Sequence, residues 1–349
     1  MVKEIKKRNY NLDILRILSM IMIITLHYCT FGCSIKEYGG IGYPSQPLWI
    51  IYAFCHVAVN VYVLISGYFL CESNFKWKKV LRLAIEVWFY SLIIGLVFFL
   101  VGKEDFNSFK TALRVFCPLL SRTYWFISIY LIMYIISPFM NKLINVLNKK
   151  EYQKFLITVG IIYLICNNFF IGTDLMDSTG GSGILWFIYL YFVSGYIRKY
   201  DLPKIKNIYY FCFYCILSIM TYLSRVFILK YLSVLDIYKG QELILYSYNS
   251  ITVFGGALFL FMFFKNMNLK ERWPNFIYKV SLATFGVYLI HEHFFMRSYL
   301  FYDLLNISDY VNRGLLVKGG IMLLTVLGIF TICTLIDFIR QWIFKKLEI

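Results

Sequence analysis

Three ionisable residues interrupt the first apolar run of this 349-residue chain: Asp13, Arg16 and His27. Arg16 and His27 are eleven residues apart, and at about 100° per residue they return to within roughly 20° of one direction while climbing about 16 Å. The two therefore share one face of a helix. Asp13, three residues before Arg16, is placed to pair with it. An imidazole titrates near neutral pH and can take up and return a proton. A guanidinium holds anions through charge-assisted hydrogen bonds. The alternative is that each side chain reaches to its nearer membrane interface and only anchors the helix.

Other candidates lie further along. Lys79 and Arg82 open the third apolar run, where basic residues ordinarily anchor the interface. Glu86, four residues after Arg82, is placed either as its ion-pair partner or on the acceptor side of a site. His56 and Asn60, four apart, share a face of the second run. His291 and His293 close the ninth, and a two-residue step points them in different directions. Packing histidines, hydrogen-bonded inside a bundle, are the alternative for all three. Asp337 and Arg340 form an i,i+3 pair for which a structural role suffices. No carboxylate lies at metal-ligand spacing from a histidine, so no metal is expected.

These residues need elements to hold them. Apolar residues make up 60% of the chain and charged ones 15%, with a formal charge of +16. Soluble domains run nearer half apolar and a quarter charged, which argues against a cytosolic enzyme. About ten stretches are long enough to cross a bilayer: 11–31, 48–70, 80–101, 124–144, 154–172, 183–199, 208–229, 243–264, 277–297 and 315–340. The fold expected is an all-α integral membrane bundle forming one domain over 1–349. With the N-terminus inside, the connectors on that side hold 23 Lys and Arg and the outer ones 10. This bias places both termini in the cytoplasm. It also removes the main support for a nucleic-acid partner.

Lys3 to Arg8 ahead of an apolar run look like a signal peptide, but Asp13 and Arg16 interrupt that run, so a retained first helix is expected. The nine cysteines, Cys212 and Cys215 included, behave as small apolar residues. Phe109, Leu113, Phe116 and Leu120, at helical spacing within Phe106 to Leu120, predict a helix lying in the outer interface. Gly172 to Gly183 predicts an external loop.

The run Arg8 to Tyr28, RNYNLDILRILSMIMIITLHY, resembles the opening of the acyltransferase-3 family, integral membrane acyltransferases of bacterial surface carbohydrates. That opening pairs Arg or Lys with His after ten intervening residues, as Arg16 and His27 do. Val59 to Leu70, with Ser66-Gly67, is similar to the second-helix stretch of the family. Lys76 to Leu83 resembles its Arg-x-x-Arg start of the third helix, with Lys79 in place of the first arginine. Phe285 to His293 resembles a late-helix segment ending in His. The hydrolase-like domain that many relatives append is not expected here.

The resemblance implies an O-acyltransferase, most plausibly an O-acetyltransferase. It would move an acyl group from acyl-CoA to a hydroxyl of a surface polysaccharide or its lipid-linked precursor, in the bacterial cytoplasmic membrane. Acetyl-CoA is then a donor substrate, and no bound cofactor is expected. His27 is the implied base, Arg16 holds the pantetheine or polarises the thioester, and Lys79 and Arg82 meet the donor phosphates. Asp13, His56, Asn60, Glu86 and His291 are supporting or acceptor-side candidates. Trp125 and Trp186 can stack on a sugar, although interface anchoring is the commoner role. The other function weighed is an exporter or carrier of a surface glycan or lipid-linked sugar, with the polar face of the first helix lining its path.

Overall fold

The computed structural model describes residues 9–36, 45–103, 108–166, 179–203, 205–235, 240–307 and 313–347. Among them every regular element is helical. Helix α1 (Tyr10–His27) starts at Asn9, whose side chain accepts from the Leu12 amide at 3.2 Å, and continues through a wide turn over Tyr28–Gly32. A short polar N-cap of this kind satisfies a backbone donor that has no partner within the helix.

The span expected over 48–70 is two helices, α2 (Gln46–Cys55) and α3 (Ala58–Leu70), broken at His56 and Val57. The Phe54 carbonyl, which would accept from Ala58 in an unbroken helix, instead accepts from the Tyr214 hydroxyl at 2.9 Å. A side chain inserted into the ladder is a known cause of such breaks.

There follow α4 (Trp77–Leu100), α5 (Phe109–Phe116), α6 (Trp125–Val146) and α7 (Lys149–Ile161). Then come α8 (Ile184–Tyr200), α9 (Asn207–Phe227), α10 (Ile251–Lys265), α11 (Pro274–His291), α12 (Phe294–Ser298) and α13 (Leu315–Lys346).

Among the described residues, seven helical stretches are long and apolar enough to cross a membrane: Tyr10–Gly32, Gln46–Leu70, Trp77–Leu100, Trp125–Val146, Asn207–Leu232, Ile244–Lys265 and Leu315–Lys346. The spans expected at 154–172, 183–199 and 277–297 correspond to α7, α8 and α11, of 13, 17 and 18 residues. Residues 167–172 of the first lie outside those described. Most of α8 and α11 is enclosed by neighbouring helices, so polar residues such as Ser194, Ser281 and Thr284 meet protein rather than lipid.

Helix α1 packs against α2, α3, α10, α11 and α13, and α3 lies between α1, α8 and α10. The outer faces of α4, α9 and α13 present Leu96, Leu100, Ile216, Leu223, Leu324 and Ile332, as a lipid-facing surface requires. Where helices approach closely, glycine makes room. A Cβ at Gly67 would run into the Ser194 hydroxyl of α8, and one at Gly286 into the Asp337 carboxylate of α13.

The helix expected within Phe106 to Leu120 is α5, with Phe109, Leu113 and Phe116 exposed and Leu120 exposed just beyond it; Phe106 itself lies outside the described residues. Trp88 Nε1 and Ser91 Oγ on α4 donate to the Phe116 and Val115 carbonyls and hold α5 back against the bundle. Residues 172–178 of the expected external loop lie outside the described set, as do Lys3, Lys6, Lys7, Arg8, Lys204 and Lys239. From Thr179 on, the chain makes a tight turn whose Gly180 carbonyl accepts from Tyr248 N at 2.9 Å.

Candidate active site

One cavity of about 1030 Å³ runs along the inner face of α1. Arg16 and His27 both line it, with Met20, Ile23 and Leu26 between them. Around Arg16 it is bounded by Lys79, Arg82 and Glu86 of α4 and by Arg340, Gln341 and Lys345 of α13. Around His27 it is bounded by Trp125, Tyr248, Glu292 and Arg297. A single void therefore joins a cation-rich end to a histidine-bearing end.

At the histidine end, the last turn of α11 supplies His291 and the residue after it supplies Glu292. His291 Nδ1 lies 2.6 Å from the Val287 carbonyl, which can only accept. In the neutral imidazole that leaves His291 Nε2 without a proton. His27 Nδ1 is 3.1 Å from this Nε2 and 3.2 Å from Glu292 Oε2. Both neighbours accept, so the His27 proton sits on Nδ1, and Nε2 carries a free lone pair. The better-aligned bond runs to His291, and Glu292 Oε2 has no aligned donor among the described residues. Glu292 Oε1 is held by Arg297 Nη1 at 3.0 Å, and that guanidinium lies over Phe31 at 4.2 Å. A base whose second nitrogen is oriented by an acceptor, here His291 held in turn by the Val287 carbonyl, is an arrangement suited to general-base catalysis. The two imidazoles bond one another, and among the described residues no group of three His, Cys, Asp or Glu is arranged to hold a metal ion.

At the other end, Arg16 Nη1 bonds Asp13 Oδ1 at 2.8 Å, and Asp13 also accepts from Ser281 Oγ of α11 at 3.2 Å. Asp13 is buried, while Arg16 keeps part of its guanidinium towards the cavity, over the Phe69 ring. Lys79 lies over the Tyr134 ring at 4.9 Å.

Glu86 does not pair with Arg82. Its Oε1 lies 2.7 Å from Nη2 of Arg340, whose N–H groups point instead at both Asp337 oxygens at 2.8–3.0 Å. Tyr90 and Gln341 complete this buried cluster by donating to Asp337. The i,i+4 spacing to Arg82 loses because a buried carboxylate gains more from a buried guanidinium than from an exposed one screened by water.

Three other candidates lie off the cavity wall. Asn60 donates to the Tyr248 carbonyl at 2.7 Å and accepts from Trp186 Nε1 at 3.0 Å, tying α3 to α8 and to the segment before α10. Trp186 is fully buried, packed against Tyr163, Tyr189 and Phe254, which corrects its expected place in an interface belt. His56 stacks on Tyr248, with ring centroids 4.8 Å apart and planes 5° apart, and so lies behind the cavity wall. His293 accepts from the Phe295 amide as the cap of α12 and does not line the cavity. Trp125 does line it, stacked on the other cavity residue Tyr248 with centroids 6.0 Å apart.

Glu292 and Arg297 went unnoticed in the sequence. The available signal was a carboxylate between two histidines at the end of an apolar run, where an unpaired charge is costly.

Fold and site together define a multi-pass helical membrane protein whose interior carries a cavity-lining histidine and, along one void, a cluster of cations. The family model described as an acyltransferase domain matches residues 9–338, nearly the whole chain, and the chain belongs to the acyltransferase-3 family. No curated protein and no solved structure gives a significant match.

Proposed function

We propose that the protein is a membrane O-acyltransferase, most plausibly an O-acetyltransferase, that moves an acyl group from acyl-CoA to a hydroxyl of a surface polysaccharide or its lipid-linked precursor. The observation that carries this reading is the single cavity lined at one end by Arg16, Lys79 and Arg82 and at the other by His27. Family membership supports acyl transfer in general. In this reading α7, α8 and α11 complete ten crossings of the bacterial cytoplasmic membrane, and both termini are cytoplasmic.

The cations hold the donor phosphates through charge-assisted hydrogen bonds, and the thioester arm extends along the void towards His27. Nε2 of His27 takes the acceptor hydroxyl proton as the oxygen attacks the thioester carbonyl. The C–O bond forms, the C–S bond breaks, and the proton leaves with the coenzyme thiolate. Arg16 steadies the pantetheine or polarises the carbonyl, and Asp13 holds Arg16 in place. The aromatic pair Trp125 and Tyr248 forms a wall suited to a sugar ring.

His27→Ala is expected to lower O-acetylation of the surface glycan by about 10²–10⁴-fold, the usual worth of a positioned base, while the protein stays in the membrane at wild-type amount. NMR of the isolated glycan reads the outcome, and unchanged acetylation would overturn the mechanism.

A further inference from the structure

Tyr248, on the cavity wall at the His27 end, is held by almost every group it has. Its N–H donates to the Gly180 carbonyl at 2.9 Å, and its own carbonyl accepts from Asn60 Nδ2 at 2.7 Å. Trp186 Nε1, donating to Asn60 Oδ1 at 3.0 Å, fixes that amide in turn. The Tyr248 ring lies parallel to His56 and stacks on Trp125. Gly181 packs directly against it: at φ 82°, a backbone that favours glycine, a Cβ there would come within 2.6 Å of Asn249 N and 2.8 Å of Tyr248 Cβ.

The hydroxyl is the exception. Among the described residues it makes no hydrogen bond, and it opens on the cavity, whereas the Tyr288 hydroxyl is sealed in the packing. It lies within electrostatic reach of the Glu292 carboxylate, whose Oε2 is 3.2 Å from His27 Nδ1. A phenol donates one hydrogen bond and accepts others. Holding it by backbone and ring while its oxygen stays free removes the ordering cost that a ligand would otherwise meet.

We propose that the Tyr248 hydroxyl binds the acceptor sugar through a second hydroxyl, not the one acylated, and that His56, Asn60 and Gly181 are positioning residues that aim it. The inference rests on the reading of the His27 end as the acceptor end. It names the chemistry recognised there, a sugar offering two free hydroxyls rather than a simple alcohol. The reacting hydroxyl gives its proton to His27 Nε2, so a contact to another oxygen of the same sugar decides which hydroxyl is presented to the base.

The test is acetyl transfer from acetyl-CoA to the surface glycan of cells lacking the protein, freed of esters by mild base. The full protein in nanodiscs is the catalyst, and acceptor KM and donor KM are measured separately. Tyr248→Phe keeps the ring and its stacking. It is expected to raise acceptor KM about three- to tenfold, the worth of one neutral hydrogen bond, at unchanged donor KM. His56→Ala is expected to raise acceptor KM by a similar factor, and His56→Phe, which keeps a ring against Tyr248, to restore it. In the Tyr248→Phe background His56→Ala is expected to add nothing, because His56 acts through that hydroxyl. An equal His56→Ala effect in both backgrounds would overturn the positioning role. If Tyr248→Phe leaves acceptor KM unchanged while His27→Ala abolishes transfer, the hydroxyl assignment is wrong and the acceptor end stands. If Tyr248→Phe raises donor KM and leaves acceptor KM unchanged, this is not the acceptor end, and that reading falls with the proposal.

Discussion

Two neighbours stand beside Nδ1 of the His27 imidazole. His291 Nε2 and Glu292 Oε2 lie 3.1 and 3.2 Å from the same Nδ1, and each can accept its proton. Groups that act as a unit do not contribute additively. His291→Phe removes one acceptor. Glu292→Gln preserves volume and an oxygen for Arg297 but turns an amide donor towards His27. Either substitution alone leaves one acceptor, and acyl transfer is expected to fall about tenfold at unchanged donor KM. The double variant is expected to approach the 10²–10⁴-fold loss of His27→Ala. Steady-state kinetics in vesicles provide the check, and a double variant no worse than the singles would show that the ring is held some other way. Sequence spacing made Arg16 and His27 visible as a pair on one face, because that relation is local to one helix. It could not show which of His56, His291 and His293 reaches His27, since the answer depends on how α2, α3 and α11 dock against α1.

At the scale of elements, a buried polar cluster lies where α4, α11 and α13 meet. Asp337 accepts from Arg340 and Tyr90, Glu86 lies 2.7 Å from Arg340, and Gly286 lets α11 lie directly on the Asp337 carboxylate. Gly286→Ala forces the carboxylate or the helix to move, and such overpacking costs about 1–3 kcal/mol. Gly320 on α13 has nothing near its missing Cβ. Gly320→Ala is expected to be neutral or to gain up to about 1 kcal/mol of helix stability. Thermal unfolding in detergent compares the two, and equal stability of both variants would deny the close approach. The Asp337–Arg340 pair was legible as an i,i+3 spacing, but its third member was assigned to the wrong cation. An i,i+4 rule holds on an exposed helix surface, and Glu86 is buried.

For the whole molecule, the charge bias between connectors and the proposed acyl-CoA donor ask for the same orientation. The cation-rich end holds Lys79, Arg82 and Lys345, and an acyl-CoA donor made in the cytosol meets that end only if it faces inward. Epitope tags at the two termini are therefore expected to bind antibody only after the cells are permeabilised. Binding on intact cells would reverse the assignment of donor and acceptor ends together.

Composition and the run of apolar stretches by themselves determined that the chain is a helical membrane protein, because removing backbone polar groups from water permits few structures. Spacing within one helix marked Arg16 with His27, and the family resemblance marked Lys79 with Arg82. The tertiary structure alone decided that these pairs share one void, that Glu292 and Arg297 stand behind the histidine, and that Glu86 belongs to Arg340. Periodicity reports which residues of one helix share a face, and contacts between helices distant in sequence leave no local pattern.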